Sequence, residues 1–413
     1  MSVPLDRLYN FLQDICNQDV LIYRYFPDGS KNIQDCKPFN NKITSLNKIE
    51  CFNSMYVFCH DQEPIDLSFF PKLSASELPN IPFNVYRWWA NNWINRYDKI
   101  ILVHSEQNSK EVLWFQNNGS IPVYWWSHAV IAIDWFRYAK VDPTLQNIST
   151  KKQDFLIYNR AWQGTREYRL KFAEMLVFNG LNDHCRMKFN PVDGCHYSDH
   201  QFQNSLLKIS DIKLEEYYQL NESHSDASAD YCALDYLETQ IEVVLETLFD
   251  DQRLHLTEKT IRPIACGHPF IIVGPMGSLK YLKQYGFKTF DSLIDESYDT
   301  IVDPVARLQS IVSLMKSIHN LNNQEKQNLY QKMKVIAEYN KTRFFSDEFF
   351  SCVVEEFTQN FNHAAEQMKQ HQTGAYFNLL MKKYPDLSMF GGVSASEMDQ
   401  INKIFQSDSK TCD

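Results

Sequence analysis

Short apolar runs that alternate with polar, helix-like stretches constrain the fold of this 413-residue chain more than any other feature. In the first third, four runs rich in β-branched and aromatic residues predict buried strands: "DVLIYRYF" at 19–26, "SMYVFCH" at 54–60, "KIILVHS" at 99–105 and "IPVYWWS" at 121–127. The stretch between the last two predicts a helix capped by Ser105 or Ser109 and ending near Gly119. Strand, helix and strand at this spacing indicate a βαβ unit and a parallel sheet.

The same alternation restarts after a polar stretch at 137–153, which contains a proline and is the expected linker. Further strands are predicted at 154–160, 186–189, 241–249, 269–274 and 287–290. Helices are predicted at 164–180 with Thr165 as cap, at 257–267 and at 278–286, and a strand–helix passage at 205–220. Pro263 predicts a bend or an irregular start in the second of these helices.

These patterns predict an α/β protein with two doubly wound, Rossmann-like domains that face a cleft, and with additional C-terminal helices. The expected domains are residues 1–145 and 146–345, followed by a helical segment at 346–413 that could return to the first domain. In such folds ligands bind beyond the carboxyl ends of the strands, and a cleft between domains is the natural site.

Composition and charge disfavour several functional classes. A net charge of -10 argues against a protein that coats nucleic acid, although a local basic groove remains compatible with it. No apolar run reaches the roughly 18 residues of a membrane span. The first 20 residues lack a signal-peptide pattern, and the ten cysteines show no metal or disulfide spacing. We therefore expect a cytoplasmic protein without a membrane span or a bound metal.

The sequence "TEKTIRPIACG" contains the densest chemistry in the chain. Thr257, Glu258 and Lys259 lie at a predicted helix N-terminus, where free N–H groups and the helix dipole favour an anion. The lysine adds a full charge, and the glutamate can accept hydrogen bonds from vicinal ribose hydroxyls. The three residues thus suit a nucleoside diphosphate, but they equally suit a solvated first turn of a helix.

Other strand ends supply candidate ligand-binding groups. Gly274, Gly277 and Ser278 form a loop that would let a ligand approach the backbone, or a plain tight turn. Arg160 ends the first strand of the second half, where its fork could bind a pyrophosphate. The alternative for Arg160 is an ordinary surface arginine.

Carboxylates and aromatic rings of the first half are candidates for the acceptor side. Asp61 and Glu63 follow a predicted strand, so either could act as a general base or merely cap the next segment. The remaining acceptor-side candidates are His60, His104, His128, Trp89 and Trp93. The two tryptophans are four residues apart, which is typical of a core stripe and also of a surface that stacks on a sugar or base.

The motif "VVLETLFDDQRLHLTEKTIRPIACGHPFIIVGP" resembles the donor-binding signature of the family 10 fucosyltransferases, which have the GT-B fold. There too, a strand ending in an acidic residue leads to a Thr-Glu-Lys helix, an apolar strand and Gly-Pro. The first 150 residues contain no family motif. This chain has "ETLF" where fucosyltransferases commonly have Glu-Asn-Ser, and a proline in the helix. Because of these departures, neither fucose nor GDP is carried over. The helix motif is more similar to that of divergent phage and bacterial proteins with a TEKTxxP motif.

The resemblance implies a GT-B fold with an acceptor-side first domain and a second domain that binds a nucleotide-diphosphate sugar. Glu258 would hold the donor ribose, Lys259 and Arg160 its pyrophosphate, and Glu246 would face the sugar or nucleotide. Asp61 or Glu63 would deprotonate the acceptor hydroxyl. Such enzymes invert the anomeric carbon and require no metal cofactor.

Three functional hypotheses follow from these features. The first is a glycosyltransferase acting on a glycan. The second is a phage-type enzyme, working in the host cytoplasm, whose acceptor is a hydroxymethylated base in DNA; such a base would have to leave the stack. The third is a nucleotide-binding module without catalysis.

Overall fold

The computed structural model describes residues 20–24, 55–60, 63–65, 100–117, 120–146, 151–160, 164–190, 200–218, 230–250 and 252–383. These residues form a mixed α/β fold around two four-stranded parallel sheets. The expectation of a Rossmann-like α/β fold with parallel sheets is confirmed. Within the described ranges, no helix is long and apolar enough to cross a membrane.

The first sheet contains the four predicted strands of the first third of the chain. They are β1 (Val20–Arg24), β2 (Met55–His60), β3 (Ile100–His104) and β4 (Ser120–Tyr124), in the order β1-β2-β3-β4. All are parallel, and their register aligns His60 with His104 and His104 with Tyr124. Three polar side chains therefore follow one another along the carboxyl edge of this sheet.

Two helices accompany the first sheet, α1 (Lys110–Asn117) and α2 (Ser127–Trp135). The Ser109 hydroxyl accepts a hydrogen bond from the Val112 N–H at 3.1 Å, so Ser109, rather than Ser105, caps α1. Ser105 directly follows β3, and its hydroxyl lies 3.1 Å from His255 Nδ1.

The second sheet contains β5 (Gln153–Arg160), β6 (Cys185–Asn190), β7 (Thr239–Leu245) and β8 (Phe270–Val273), in the order β6-β5-β7-β8. All four strands are parallel. The helices around it are α3 (Tyr168–Phe178), α4 (Ala233–Glu238), α5 (Glu258–Cys266) and α6 (Ser278–Gln284). The predicted strands at 154–160, 186–189, 241–249 and 269–274 are thus confirmed in kind, although β7 ends before Glu246.

Three local predictions are wrong. Thr165 does not cap a helix, because Gly164–Arg166 forms a separate 3-10 turn before α3. The strand–helix passage at 205–220 is replaced, in its described part, by the 3-10 turns Ser205–Leu207 and Leu214–Glu216. Residues 287–290 form no strand, because the buried Asn340 side chain satisfies both the N–H and the C=O of Lys288 at 2.8 Å.

Helix α5 runs unbroken through Pro263, between its Thr257 N-cap and Gly267. Gly267 has φ of 63°, the left-handed conformation that commonly ends a helix. The helix therefore starts regularly at its Thr257 N-cap, and the alternative of an irregular start is wrong. The bend at Pro263 stays a prediction.

Three C-terminal helices follow, α7 (Pro304–His319), α8 (Asn323–Phe344) and α9 (Asp347–Lys383). Helix α9 serves both halves of the molecule. Phe349 and Val353 belong to the core around the second sheet, whereas Phe357 and Phe361 pack into the core of the first. The domain limits at residues 145 and 345 remain a prediction, and the two sheets share one continuous helix.

The two halves also share a buried aromatic contact. Trp126 is fully buried, and its indole N–H donates to the Leu256 carbonyl at 2.9 Å. Its ring lies 5.0 Å from that of Tyr281 on α6 and 4.8 Å from that of Tyr285, which follows α6. Aromatic pairs at such distances contribute beyond the area that they bury. The first half is therefore packed firmly against the second.

A buried ion pair holds α5 to the middle of the second sheet. Arg262 donates to Glu242 of β7 at 2.6 Å, and neither side chain is more than 4 % exposed. Tyr236 donates to the other oxygen of Glu242 at 2.6 Å, and the Arg262 guanidinium lies 4.2 Å from the centre of the Tyr158 ring. This ion pair therefore fixes the position of α5 relative to β7.

We predict that Glu242→Leu alone lowers the free energy of unfolding by about 3–5 kcal/mol, because it leaves the Arg262 cation buried without its carboxylate. The double variant Glu242→Leu/Arg262→Met should recover most of this loss, since no buried charge remains. Urea unfolding followed by tryptophan fluorescence measures both. A single variant as stable as wild type would contradict the structural role of the pair.

Candidate functional site

The carboxyl edges of the two sheets meet at the Arg253–Thr257 segment, which leads into α5. Arg253 donates to the Ile65 carbonyl of the first half at 2.7 Å. Leu254 and Gln107 exchange two backbone hydrogen bonds, each of 2.9 Å. The segment is thus bonded to residues that follow strands of the first sheet, while α5 lies over the second. Groups at the start of α5 face the first half of the molecule.

The Glu246 carboxylate, fully buried after β7, organises the start of α5. It accepts from the N–H and hydroxyl of Thr257 at 3.1 and 2.7 Å. It also accepts from the N–H and hydroxyl of Thr260 at 3.3 and 2.5 Å, and from the Thr247 N–H at 3.1 Å. A negative group at a helix N-terminus is stabilised by the dipole and by the free N–H groups. Glu246 therefore positions α5, and its oxygens are engaged within the protein.

Thr257 is the N-cap of α5, as predicted. Its hydroxyl oxygen accepts from the Lys259 N–H at 3.4 Å, while the hydroxyl hydrogen is donated to Glu246. One threonine thus links the helix start to the strand end. Glu258 and Lys259, the next two residues, are oriented by this link.

Glu258 and Lys259 form an ion pair that a histidine of the first half completes. Lys259 Nζ lies 2.7 Å from one Glu258 oxygen, and His128 Nδ1 lies 3.2 Å from the other. Burial disfavours ionisation of Glu258, but Lys259 and His128 outweigh it and hold the pKa of Glu258 well below its usual range. The Glu258 side chain is 7 % exposed and that of Lys259 is 20 % exposed. The carboxylate is therefore ionised and covered by α2, while the ammonium reaches solvent.

A chain of polar side chains continues from His128 into the first sheet. The rings of His128 and His255 pack edge to face with centroids 5.1 Å apart. His255 Nδ1 lies 3.1 Å from the Ser105 hydroxyl, which follows β3. His128, a candidate from the sequence, is thus brought to Glu258, and His255 is part of the same buried row.

The carboxyl ends of β5, β7 and β8 are held together by two residues at the start of α3. The buried Arg169 guanidinium donates to the carbonyls of Arg160 and Leu245, and to that of Glu246 at 2.8 Å. The Tyr168 hydroxyl donates to the carbonyls of Glu246 and Val273. Arg160, whose side chain is partly exposed, therefore lies at the same strand edge as the start of α5.

Glu63, which belongs to the first half, lies close to this edge. Arg166, in the turn before α3, approaches it at 3.3 Å. The two side chains are 39 % and 28 % exposed, so the pair lies at the surface of the junction between the halves. Asp61, Trp89 and Trp93 lie outside the described residues, and their proposed roles stay predictions.

His60 and His104 are buried at the ends of neighbouring strands. Burial, assisted by the nearby His60, lowers the pKa of His104 to about 3. The Glu106 N–H donates to His104 Nδ1 at 3.3 Å. His104 is therefore neutral near pH 7. It supports the turn after β3.

Glu106 lies beside this turn in contact with Arg253. Burial raises the pKa of Glu106 to about 6, and Arg253, with a shortest distance of 3.4 Å, opposes the shift. Glu106 also accepts from the Ile65 N–H and the Ser109 hydroxyl, each at 2.5 Å. It joins α1, the Arg253–Thr257 segment and the residues after β2.

The loop at Gly274, Gly277 and Ser278 is shaped by packing. A Cβ at Gly274 would lie 2.9 Å from the Ser278 hydroxyl, and Gly277 has φ of 88°. The first free N–H groups of α6, those of Leu279 and Lys280, donate to Asp299 at 3.0 and 3.3 Å. The free N–H groups at the start of α6 are therefore already bonded to the Asp299 carboxylate. Lys259 at the start of α5, in contrast, reaches solvent. Donor binding by the loop remains a prediction.

Several residues of the site carried little signal in the sequence. Arg169 stands in an ordinary helical run, and its bonds to three carbonyls at the ends of β5 and β7 depend on the fold alone. Thr260 lies three residues after the N-cap, a spacing that could have indicated a second hydroxyl for Glu246. Arg253 and His255 precede α5 in a stretch without periodicity.

Comparison with known proteins adds no assignment to this geometry. No protein-family model matches the chain, and no curated protein matches it significantly. The functional argument therefore depends on the site residues themselves.

We predict that Glu246→Ala lowers the free energy of unfolding by at least about 3 kcal/mol, since it leaves several buried donors without an acceptor. Hydrogen exchange at Thr257 and Thr260 should accelerate more than exchange elsewhere in the second half. Asp303→Ala, which removes the exposed N-cap of α7, is the matched control and should cost only about 1 kcal/mol. Equal effects of the two substitutions would contradict the central role of Glu246.

Glu106 makes stability depend on pH. Because its folded pKa of about 6 exceeds its ordinary value of 4.5, the native state binds more protons between these limits. The contribution of Glu106 to stability therefore rises as pH falls from 7 to 4.5, by about 2 kcal/mol. Urea midpoints at pH 7 and 5 should differ less in Glu106→Gln than in wild type. Glu366→Gln, at an exposed position of α9, should keep the wild-type difference.

Proposed function

We propose that the protein is an inverting glycosyltransferase of GT-B architecture, which moves a sugar from a nucleoside diphosphate to an acceptor hydroxyl. The observation that carries the proposal is the Glu258–Lys259 pair at the start of α5, opposed by His128 from the other half. An acid for ribose hydroxyls and a cation for phosphate stand side by side at a helix N-terminus. The junction of two parallel sheets at their carboxyl edges is where α/β folds bind ligands.

The donor would lie across the ends of β5 and β7. Lys259 reaches solvent there, and Arg160 ends the neighbouring strand within the group of carbonyls that Arg169 holds together. Both cations would neutralise the diphosphate, which gains charge as the sugar departs. Thr257 and Glu246 fix the start of α5 and thereby the position of Lys259.

The ribose would take the place of His128 as a partner of Glu258. Because α2 covers that carboxylate, α2 would move slightly away from α5 when the donor enters. Return of α2 toward α5 over the bound donor would exclude water from the reacting groups. Hydrolysis of the donor would then be slow without an acceptor.

The transfer itself needs a base on the acceptor side. Glu63 is the described candidate, and Asp61 is the alternative from the sequence. The acceptor oxygen attacks the anomeric carbon as its proton passes to the carboxylate, and the bond between the sugar and the diphosphate breaks. The configuration at that carbon is inverted, and the diphosphate leaves with the charge that Lys259 and Arg160 offset. No metal enters this proposal.

The acceptor can be a glycan or a hydroxymethylated base in DNA. Glu63 and Arg166 are exposed at the junction, so an acceptor of either kind could approach them. A chain that binds nucleotide sugars tightly without transferring or hydrolysing them would instead be a nucleotide-binding module.

We predict that Lys259→Gln lowers kcat/KM for the donor about 100-fold, because one electrostatic contact to the leaving diphosphate is lost. Release of nucleoside diphosphate from each nucleotide sugar in turn is the assay. Lys280→Gln makes the same change of charge at an exposed position of α6 and should leave the rate unchanged. Wild-type rates in Lys259→Gln would refute the donor-site assignment.

A further inference from the structure

A large cavity opens at the opposite, amino edge of the second sheet. Its volume is about 1500 Å³, and it is lined by the first residues of β5 and β7, by the end of α5 and by one face of α8. Glu246 and Glu258 lie at the carboxyl edge of the same sheet. The cavity is therefore separate from the candidate donor site.

The cavity is basic in a chain that is acidic as a whole. Six lysines and only two carboxylates line it, whereas the chain has 51 acidic and 41 basic residues. The lysines are Lys140, Lys151, Lys152, Lys326, Lys334 and Lys341. The two carboxylates are already bonded, Asp154 to Lys326 and Glu338 to Lys334, each at 2.8 Å. An excess of positive charge is left on the walls.

A buried histidine faces this charge. His268 is 4 % exposed, lines the cavity, and its Nε2 has no hydrogen-bond partner among the described residues. Burial, and then Lys151 and Lys334, hold the pKa of His268 well below its usual range, so the ring is neutral. A neutral imidazole can donate one hydrogen bond. A buried polar atom without a partner is unfavourable unless something binds it.

Lys151 is held close to a second lysine. Its Nζ donates to the Tyr236 carbonyl at 2.9 Å, and burial together with Lys334 lowers the pKa of Lys151 to about 8. Lys151 and Lys334 repel one another, and an anion bound beside them and the neutral His268 would offset that repulsion. Leu145, Leu237 and Phe345 supply apolar surface in the same cavity.

We propose that this cavity binds a small organic phosphate carrying at least two negative charges, with Lys151, Lys334 and His268 around the phosphate. Phosphate oxygens accept hydrogen bonds from ammonium and imidazole groups, and the apolar wall suits an organic part. The site would be distinct from that of the sugar donor. It would allow a phosphorylated compound to act on the protein without entering the catalytic cleft.

Lysine footprinting with inorganic pyrophosphate tests this proposal. The native protein is acetylated briefly with and without pyrophosphate at matched ionic strength, and each lysine is quantified by mass spectrometry. We expect protection of Lys151 and Lys334, and none of Lys332, an exposed lysine of α8 outside the cavity. Equal protection of all three lysines would mean only general ionic screening and would overturn the site.

Affinity measurements supply the second arm. Lys151→Gln/Lys334→Gln should bind pyrophosphate at least about tenfold more weakly, since two charged donors are lost. Both this variant and the control Lys332→Gln are made in a Lys259→Gln background, so that the donor site contributes little. Lys334→Gln alone, at a partly exposed side chain, serves instead if the double variant does not fold. Unchanged affinity overturns the proposal, as does protection of these lysines by a single-stranded oligonucleotide but not by pyrophosphate.

Discussion

The fully buried Glu246 carboxylate is the interaction on which the candidate site depends. It stands where β7 ends, and it accepts five hydrogen bonds from the residues that begin α5 and follow the strand. An isolated carboxylate in such a place would be strongly unfavourable, and the helix N-terminus makes it stable. Because the helix start is fixed, Glu258 and Lys259 project toward the first half of the molecule.

The site belongs to both halves of the chain. The Arg253–Thr257 segment is bonded to Ile65, Gln107 and Ser105, all beyond strand ends of the first sheet. Trp126 also bonds to this segment through the Leu256 carbonyl, and helix α9 joins the two halves through both cores. A ligand bound at Glu258 would therefore contact residues of both halves. Relative movement of the halves would alter how easily the ligand enters the site.

The sequence predicted the sheets better than the side chains of the site. Alternation of apolar runs and helices located all eight described strands to within a few residues, since buried parallel strands leave a clear apolar pattern. The run at 287–290 was mistaken for a strand because Asn340 is distant in the sequence and replaces a strand partner. The contact of His128 with Glu258 likewise depends on packing between the halves, which no local pattern encodes.

Glu246 illustrates the same limit at the site itself. Its position after a strand and before a Thr-Glu-Lys helix was visible, and the family resemblance implied a contact with the donor. The structure shows its oxygens occupied by Thr257 and Thr260. In the proposed function, donor binding is therefore assigned to Glu258, Lys259 and Arg160.

Thermal stability in the presence of nucleotide sugars tests the central claim most directly, since a ligand that binds only the folded chain raises the melting temperature. The protein is melted with UDP-, GDP-, CMP- and dTDP-sugars in turn. We expect at least one nucleoside diphosphate sugar to raise the melting temperature of wild type but not that of Lys259→Gln. No shift with any of these compounds, or the same shift in both proteins, would contradict it.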